Sequence, residues 1–250
     1  MVKNIKNEWI KVNKSKRLLV FSLIIVVLSA FFGVVVRKIE QTGQLTADML
    51  EGTIGGYFPL QILGVVSDMV LPIFATLLVC FLIIDEYNGG TLKLPLLSGH
   101  SRDAVISAKI VTVLLCMFFI VGLTWGSSTI VAAVIWGGES VVPVLFDNLL
   151  IFFESYLAIA GWSLVMFLVA LFLQNSGIMI GVVTVILVMS SLVGNMFPEI
   201  SKYILTYYFK AFASQAENMN LVLGNGICVG TLLLFGVLTI GRFRRMEICK

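Results

Sequence analysis

The sequence predicts an all-α integral membrane protein with six transmembrane helices. Hydrophobic residues make up 59% of its 250 residues and charged residues only 12%, and the mean hydropathy is +1.03. A water-soluble domain of this size would expose too much apolar surface, so the bilayer is the expected solvent. Several apolar runs reach the ~20 residues that a helix needs to cross the hydrocarbon core. None shows the alternating polarity of a membrane barrel.

Each predicted membrane helix corresponds to a run with at most one ionisable residue. The first run is followed by Arg37 and Lys38 where a signal peptide would have a cleavage site, which argues against cleavage. Asp68 and Glu154 are the single charges of the second and fourth runs. The six spans are predicted at about residues 18–36, 60–84, 108–136, 148–173, 177–194 and 221–240. Together they form a single membrane domain over residues 1–250.

Residues 1–17 predict an amphipathic helix at the membrane interface. Val2, Ile5, Trp9 and Val12 recur at spacings of three and four, while lysines and asparagines fill the other face. Such a helix suits the anionic cytoplasmic leaflet of a lipid bilayer. A basic flank that only sets the topology is the alternative.

A second interfacial segment is predicted at residues 195–220, before the last span. The sequence has one helical stripe there, as in a helix that packs into an interface, formed by Ile204, Tyr207, Tyr208, Ala211 and Phe212. We therefore expect a short extracellular or re-entrant helical segment there.

The basic residues predict the orientation. Of the 17 Lys and Arg residues, 13 lie in the N-terminal segment, around the loop between the second and third spans, and in the tail. The other four lie on the opposite side of the predicted membrane. The positive-inside rule then places both termini in the cytoplasm. The net charge of +3 reflects this asymmetry, and no nucleic-acid partner is expected.

The loop at residues 85–107 contains the most concentrated polar stretch, Asp85–Arg102. Gly89 and Gly90 permit a tight turn, and Ser101 is suited to cap the third span. This order predicts a small structured element. A solvated connector is the alternative.

This stretch resembles the permease subunits of type-2 ABC transporters. Their pattern is an acidic–aromatic pair, Gly-Thr-Leu-basic, a leucine-rich turn that closes on Ser-Arg, and a lysine that opens the next helix. Here the pattern consists of Glu86-Tyr87, Gly90-Thr91-Leu92-Lys93, Leu96-Leu97-Ser98, Ser101-Arg102 and Lys109. The basic N-terminus and the six-span layout are also similar. The family often has a proline before Ser-Arg, where this sequence has Gly99-His100.

The resemblance implies a coupling loop that docks on a separate cytoplasmic ABC ATPase. Glu86, Lys93 and Arg102 would orient docking, and Leu92, Leu94 and Leu97 would fill the ATPase groove. The full set of implied coupling residues is Asp85, Glu86, Tyr87, Gly90, Thr91, Lys93, Ser101 and Arg102.

The implied partners follow from what the chain lacks. It has no G-x-x-x-x-G-K-[ST] run, so no cofactor is expected on it, and ATP and Mg would bind the ATPase subunit. Six spans are half of a transporter, which implies a second copy or a paired permease.

Asp68 and Glu154 are predicted inside spans, with no Lys or Arg deep enough to pair with them. A charge at the membrane centre costs about 3 kcal/mol, so both are candidates for a substrate pathway. Pro72 joins them because it cannot donate to the carbonyl of Asp68 and predicts a kink. In the alternative, the predicted span edges are wrong by about one helical turn, and both carboxyls lie near the lipid headgroups.

The resemblance implies an ATP-driven exporter in the bacterial plasma membrane. Its favoured cargo is an amphipathic antimicrobial peptide, because the chain is similar to permeases of peptide-antibiotic and lantibiotic immunity. No catalytic residue or metal site is predicted, since His100 is the only histidine and no cysteine pair has ligand spacing. A stand-alone channel or scaffold is one alternative. An intramembrane enzyme is another, and it would need a nucleophile and a base inside the spans.

Overall fold

The computed structural model describes residues 2–42, 53–97, 99, 101–173, 175–214 and 220–246, and over these ranges the chain forms helices and no β-strand. Six of the described helices are long and apolar enough to cross a membrane. In chain order, the first to sixth membrane helices are Arg17–Gln41, Ile54–Asn88, Arg102–Trp136, Gly138–Ala170, Ser176–Met196 and Leu221–Arg245. The prediction of an all-α membrane protein is confirmed.

Three membrane helices begin six or more residues earlier than the apolar runs that predicted them, and the fourth begins at Gly138 instead of near residue 148. The second begins at Ile54 instead of near residue 60, because the Thr53 hydroxyl accepts a hydrogen bond from the Gly56 N–H at 3.2 Å. The third begins at Arg102 instead of near residue 108, because Ser101 caps it as predicted. Apolar composition reports where lipid contact is needed, whereas the caps determine where helical hydrogen bonding starts.

The second, third and fourth membrane helices form the interior, and the other three are largely exposed at the periphery. Polar side chains of the fourth helix bond to the second. Asn148 Nδ2 donates to the Gly56 carbonyl at 3.0 Å, and Trp162 Nε1 donates to the Pro72 carbonyl at 3.2 Å. Both donors would be costly to leave unpaired in an apolar environment.

Small residues set the closest helix contacts. A Cβ atom added at Gly33 of the first helix would stand 2.5 Å from Val131 Cγ1 of the third. One added at Gly55 of the second would stand 2.7 Å from Trp136 Cβ. Only glycine permits these approaches, which bring the first and second helices against the third.

The second membrane helix contains two π-helical turns, Val66–Val70 and Cys80–Asp85. The first ends two residues before Pro72, which has no N–H and would clash with the carbonyl four residues before it. In the widened turn, the Leu71 N–H bonds to the Val66 carbonyl, five residues back. The helix therefore accommodates Pro72 through an inserted residue at the predicted kink.

A separate helix, Val2–Lys14, precedes the first membrane helix and packs against the third. Its predicted apolar stripe divides between two environments: Val12 is buried in the protein, whereas Trp9 is exposed. We call the end of the molecule formed by this helix, the described residues of 85–101 (85–97, 99 and 101) and Met246 the terminal face.

At the opposite face, the chain between the fifth and sixth membrane helices folds back onto the bundle. Phe209 and Phe212 are buried there, and Phe209 meets Trp162 edge-on with ring centroids 5.6 Å apart. The segment packs against the second and fourth membrane helices. Its elements are Pro198–Ser201, Leu205–Tyr207 and Tyr208–Ser214.

The substitution Gly224→Ala is expected to destabilise the protein, because the new Cβ would stand 2.7 Å from Tyr208 Cε1. Overpacking of this kind costs about 1–3 kcal/mol and should lower the midpoint of thermal unfolding in detergent. Gly226→Ala is the control, since a Cβ there would meet no neighbouring atom within 4 Å. Equal midpoints for the two variants would contradict the packing described here.

Candidate functional site

Four charged side chains form a cluster beneath the terminal face. Lys109 Nζ of the third membrane helix lies 3.1 Å from Glu8 Oε2 and 2.7 Å from Glu86 Oε2. Lys11 Nζ lies 2.9 Å from Glu8 Oε1 and 2.9 Å from Glu86 Oε1. Each carboxylate bridges both lysines. The cluster therefore joins the N-terminal helix to the second and third membrane helices.

Burial makes this cluster a strong positional constraint. Lys109 is fully buried, and Glu8 and Glu86 are almost as inaccessible. A buried ammonium is costly unless carboxylates pair with it and accept its hydrogen bonds. Two carboxylates balance two lysines here, so removing any one member leaves an uncompensated charge.

Lys11 lies at the rim of the cluster. Burial disfavours its charged form, but the hydrogen bonds and charges of Glu8 and Glu86 outweigh that effect and raise the pKa of Lys11. Lys11 is therefore charged at neutral pH. Its stabilising contribution is fully present below the ordinary lysine pKa and is lost only as the pH rises through the raised value.

The sequence indicated Glu86 and Lys109 but not Glu8. Glu8 is the only acid in the first 17 residues, and it lies four positions before buried Val12, on the same helix face. This single acid was the feature of the sequence that could have indicated a role for Glu8. Lys109 is fully buried within the third membrane helix, and the Glu86 carboxylate accepts hydrogen bonds from Lys11 and Lys109 within the chain.

Asp85 lies beside the cluster and connects further helices. Its carboxylate lies 3.5 Å from Arg17 Nη2 of the first membrane helix. It also accepts a hydrogen bond from Ser176 Oγ of the fifth at 3.0 Å. The Arg17 guanidinium lies over the Phe81 ring, 4.0 Å from its centroid. Asp85 thus brings the first, second and fifth helices together at the terminal face.

Arg102 attaches the end of the sixth membrane helix to the start of the third. Its Nη1 donates to the main-chain carbonyls of Arg244 and Met246, each at 2.8 Å. The Asp103 carboxylate accepts two hydrogen bonds from Arg244, each at 2.6 Å. The Arg102 guanidinium is therefore engaged within the chain, whereas the sequence predicted that it orients docking.

The predicted tight turn follows directly on Glu86. Gly90 adopts a φ of 68°, in the left-handed region that glycine enters without steric cost. Thr91 Oγ1 donates to the main-chain carbonyl of Glu86 at 3.3 Å. Tyr87 packs partly buried against the core. The turn is thus tied to the residue that the charged cluster holds.

A short helix, Leu94–Leu97, follows the turn. Leu94 and Leu97 are 61% and 82% exposed. Leu92 is buried, so it does not face a partner, although the resemblance implied that it would fill the ATPase groove. For Lys93, the structure describes the backbone but not the side chain, and Ser98 and His100 lie outside the described residues.

The two intramembrane carboxylates lie in different surroundings. Asp68 belongs to the first π-helical turn and lines a polar cavity of about 300 Å³. Glu154 Oε1 accepts a hydrogen bond from Asn225 Nδ2 of the sixth helix at 3.4 Å and does not line that cavity. Pro72 is buried, and its carbonyl accepts a hydrogen bond from Trp162 Nε1 of the fourth helix.

Comparison with known proteins adds independent information. The family model described as ABC-2 family transporter protein matches residues 4–191, about three quarters of the chain. The chain belongs to the ABC-2 transporter family. The matched range includes Glu8, Glu86 and Lys109, so the charged cluster lies wholly within it. No curated protein matches the chain.

Membership makes the chain a membrane permease subunit of an ABC transporter and implies association with an ABC ATPase. The resemblance stated from the sequence is confirmed at the level of this family. Within the part of the permease that the structure describes, no group of three or more His, Cys, Asp or Glu residues could hold a metal ion.

The substitution Lys109→Met is expected to destabilise the permease strongly, because Glu8 and Glu86 would share only Lys11. Removing one partner of a buried pair costs about 3–5 kcal/mol. Thermal unfolding in detergent measures the loss, and trypsin cleavage within the N-terminal helix reports whether that helix detaches.

Lys14→Met is the control, since Lys14 is an exposed lysine of the N-terminal helix with no ion pair to another described residue. It should leave both readouts unchanged. Combining Lys109→Met with Glu8→Gln and Glu86→Gln should restore part of the lost stability, because the buried carboxylates are neutralised. Wild-type behaviour of Lys109→Met would show that the cluster does not hold these helices.

Proposed function

We propose that the permease is the membrane part of an ATP-driven exporter in the bacterial plasma membrane, with both termini in the cytoplasm. The basic residues support this orientation, because 13 of 17 belong to the terminal face and its neighbouring segments. A separate ABC ATPase would then dock on the terminal face, and ATP and Mg would be bound there by the partner alone.

The observation that carries the proposal is that the terminal face is one connected unit. The buried cluster links the N-terminal helix to the second and third membrane helices. Asp85 connects the first and fifth membrane helices to this unit, and the Asp103–Arg244 ion pair connects the sixth. A partner that moves this face therefore moves several membrane helices together. A flexible connector would absorb such a motion.

Docking is assigned to Leu94 and Leu97, whose side chains are described and exposed at the terminal face. A groove of about 570 Å³, which Leu94 lines, lies between the short helix and the N-terminal helix. Exposed apolar side chains next to a groove are typical of interface anchors. In this scheme Asp85, Glu86 and Arg102 hold the coupling loop in place from within the chain.

A second permease, identical or paired, is expected to complete the translocation path. The first, fifth and sixth membrane helices bury only a small share of their residues within one chain. Several glycines on the last two, including Gly181, Gly226 and Gly230, have open space around them. Those helices therefore keep faces available to lipid or to another helix.

The proposed cargo is an amphipathic molecule, with an antimicrobial peptide as the preferred class. The segments assigned to the outer side carry seven acids against four bases. Asp68 and Glu154 add carboxylates within the membrane helices. Cationic amphipathic peptides would be attracted to such a surface. The exporter would then provide immunity or resistance to them.

The substitution Leu97→Asp is expected to release the ATPase that copurifies with the tagged permease from native membranes. Burying a charge at an apolar anchor should weaken association at least about tenfold. Thr42→Asp is the control, because it adds the same charge at an exposed site on the opposite face. Retention of the ATPase by Leu97→Asp would refute this docking site, and absence of any ATPase would favour a stand-alone channel.

Cells that carry Asp68→Asn are expected to lose part of their resistance to cationic peptides while the permease accumulates normally. The neutral amide keeps the shape of Asp68 but cannot pair with a cationic group. Minimum inhibitory concentrations measure the effect, and Asp147→Asn, which removes one exposed acid of the outer surface, should cost less resistance than Asp68→Asn. Unaltered resistance in the Asp68→Asn strain would remove Asp68 from the transport path.

A further inference from the structure

The polar cavity at Asp68 has an unusual charge arrangement. It lies between the second and fifth membrane helices and the segment that folds back at residues 198–214. Asp68 and Lys210 both line it, yet no hydrogen bond or ion pair connects either residue to another described side chain. One negative and one positive group therefore face the same space without neutralising each other.

Its polar lining suits a charged ligand group. Ser190 and Ser191 of the fifth helix contribute hydroxyls, and Thr206 and Tyr207 of the folded-back segment contribute two more. The volume of about 300 Å³ equals the space of roughly ten water molecules and lies at the low end for ligand pockets. It accommodates a small polar group and not a whole peptide.

The position of Asp68 is determined by the π-helical turn Val66–Val70. Such inserted turns are frequent at functional sites, because they redirect one side chain of an otherwise regular helix. An unpaired carboxylate at this depth is costly. A bound cation would offset that cost, so the site is suited to an ammonium.

A second, mainly apolar cavity of about 380 Å³ adjoins the same segment. It is lined by Phe32 and Val36 of the first membrane helix and by Phe58 and Ile62 of the second. Lys210 lines both cavities. The two spaces together therefore offer a polar compartment and an apolar compartment on either side of one lysine.

We propose that these paired cavities bind a zwitterionic amphipath, that is, an ammonium and an anionic group carried together on an apolar chain. The ammonium binds Asp68, the anionic group binds Lys210, and the apolar chain occupies the second cavity. An ethanolamine phospholipid and a short amphipathic peptide both present this chemistry. That the ligand is the transported substrate rests on the proposed function; binding itself does not.

The test measures binding to the purified full-length permease in detergent micelles, without an ATPase. One probe is dihexanoyl-phosphatidylethanolamine, with dihexanoyl-phosphatidylglycerol as the analogue that lacks the ammonium. The other is an N-terminally acetylated amphipathic peptide with one lysine and a free carboxyl terminus, with its lysine-acetylated form as the analogue that lacks the ammonium. Isothermal calorimetry gives each dissociation constant.

Asp68→Asn and Lys210→Gln are each expected to weaken binding about tenfold, which corresponds to about 1.4 kcal/mol. Lys202→Gln is the control, because Lys202 lies in the same segment but pairs with Glu199 and lines neither cavity. Lys210 is exposed, so its substitution tests the site even if Asp68→Asn alters folding.

Binding of either probe that depends on both residues supports the site, and the probe that binds identifies the source of the ligand. The site is overturned if the ammonium-lacking analogues bind equally well, or if binding is insensitive to both substitutions. It is also overturned if neither probe binds. Charge-dependent binding in a permease that copurifies with no ATPase would leave the site standing and reject the proposed function.

Discussion

The architecture of the terminal face depends on one interaction, the burial of the Lys109 ammonium between Glu8 and Glu86. A fully buried lysine is tolerated only when adjacent carboxylates compensate its charge. The N-terminal helix and the end of the second membrane helix must therefore stay in register with the third. Each of the other contacts at this face, at Asp85 and at Arg102, adds a further helix to that fixed centre.

The second membrane helix links the two regions to which we assign function. It is continuous from Ile54 to Asn88, with Asp68 in one π-helical turn and Glu86 just after the other. A continuous helix transmits a displacement along its axis, and a π-helical turn is where its register can change. In the proposed mechanism, motion of the coupling loop would reach the polar cavity through this helix.

Charge is used differently at the two ends of the molecule. At the terminal face, Glu8 and Glu86 pair with Lys11 and Lys109, so these four groups hold the chain together and are unavailable to ligands. In the cavity near the opposite face, Asp68 and Lys210 line one space without pairing. Paired charges give rigidity, whereas unpaired ones retain affinity for a ligand. Recognition is accordingly assigned to the cavity and transmission to the terminal face.

The sequence by itself determined the fold class, the number of membrane helices, the Ser101 cap and the family, because these follow from continuous apolar runs and from a local motif. It did not determine which residues meet. Glu8 and Lys109 are 101 positions apart, and only helix packing brings them together. The same holds for Leu92, which packing buries, and for Lys210, which packing places at the cavity of Asp68. Hydropathy is a local property, whereas the pairing of charges depends on the whole three-dimensional arrangement.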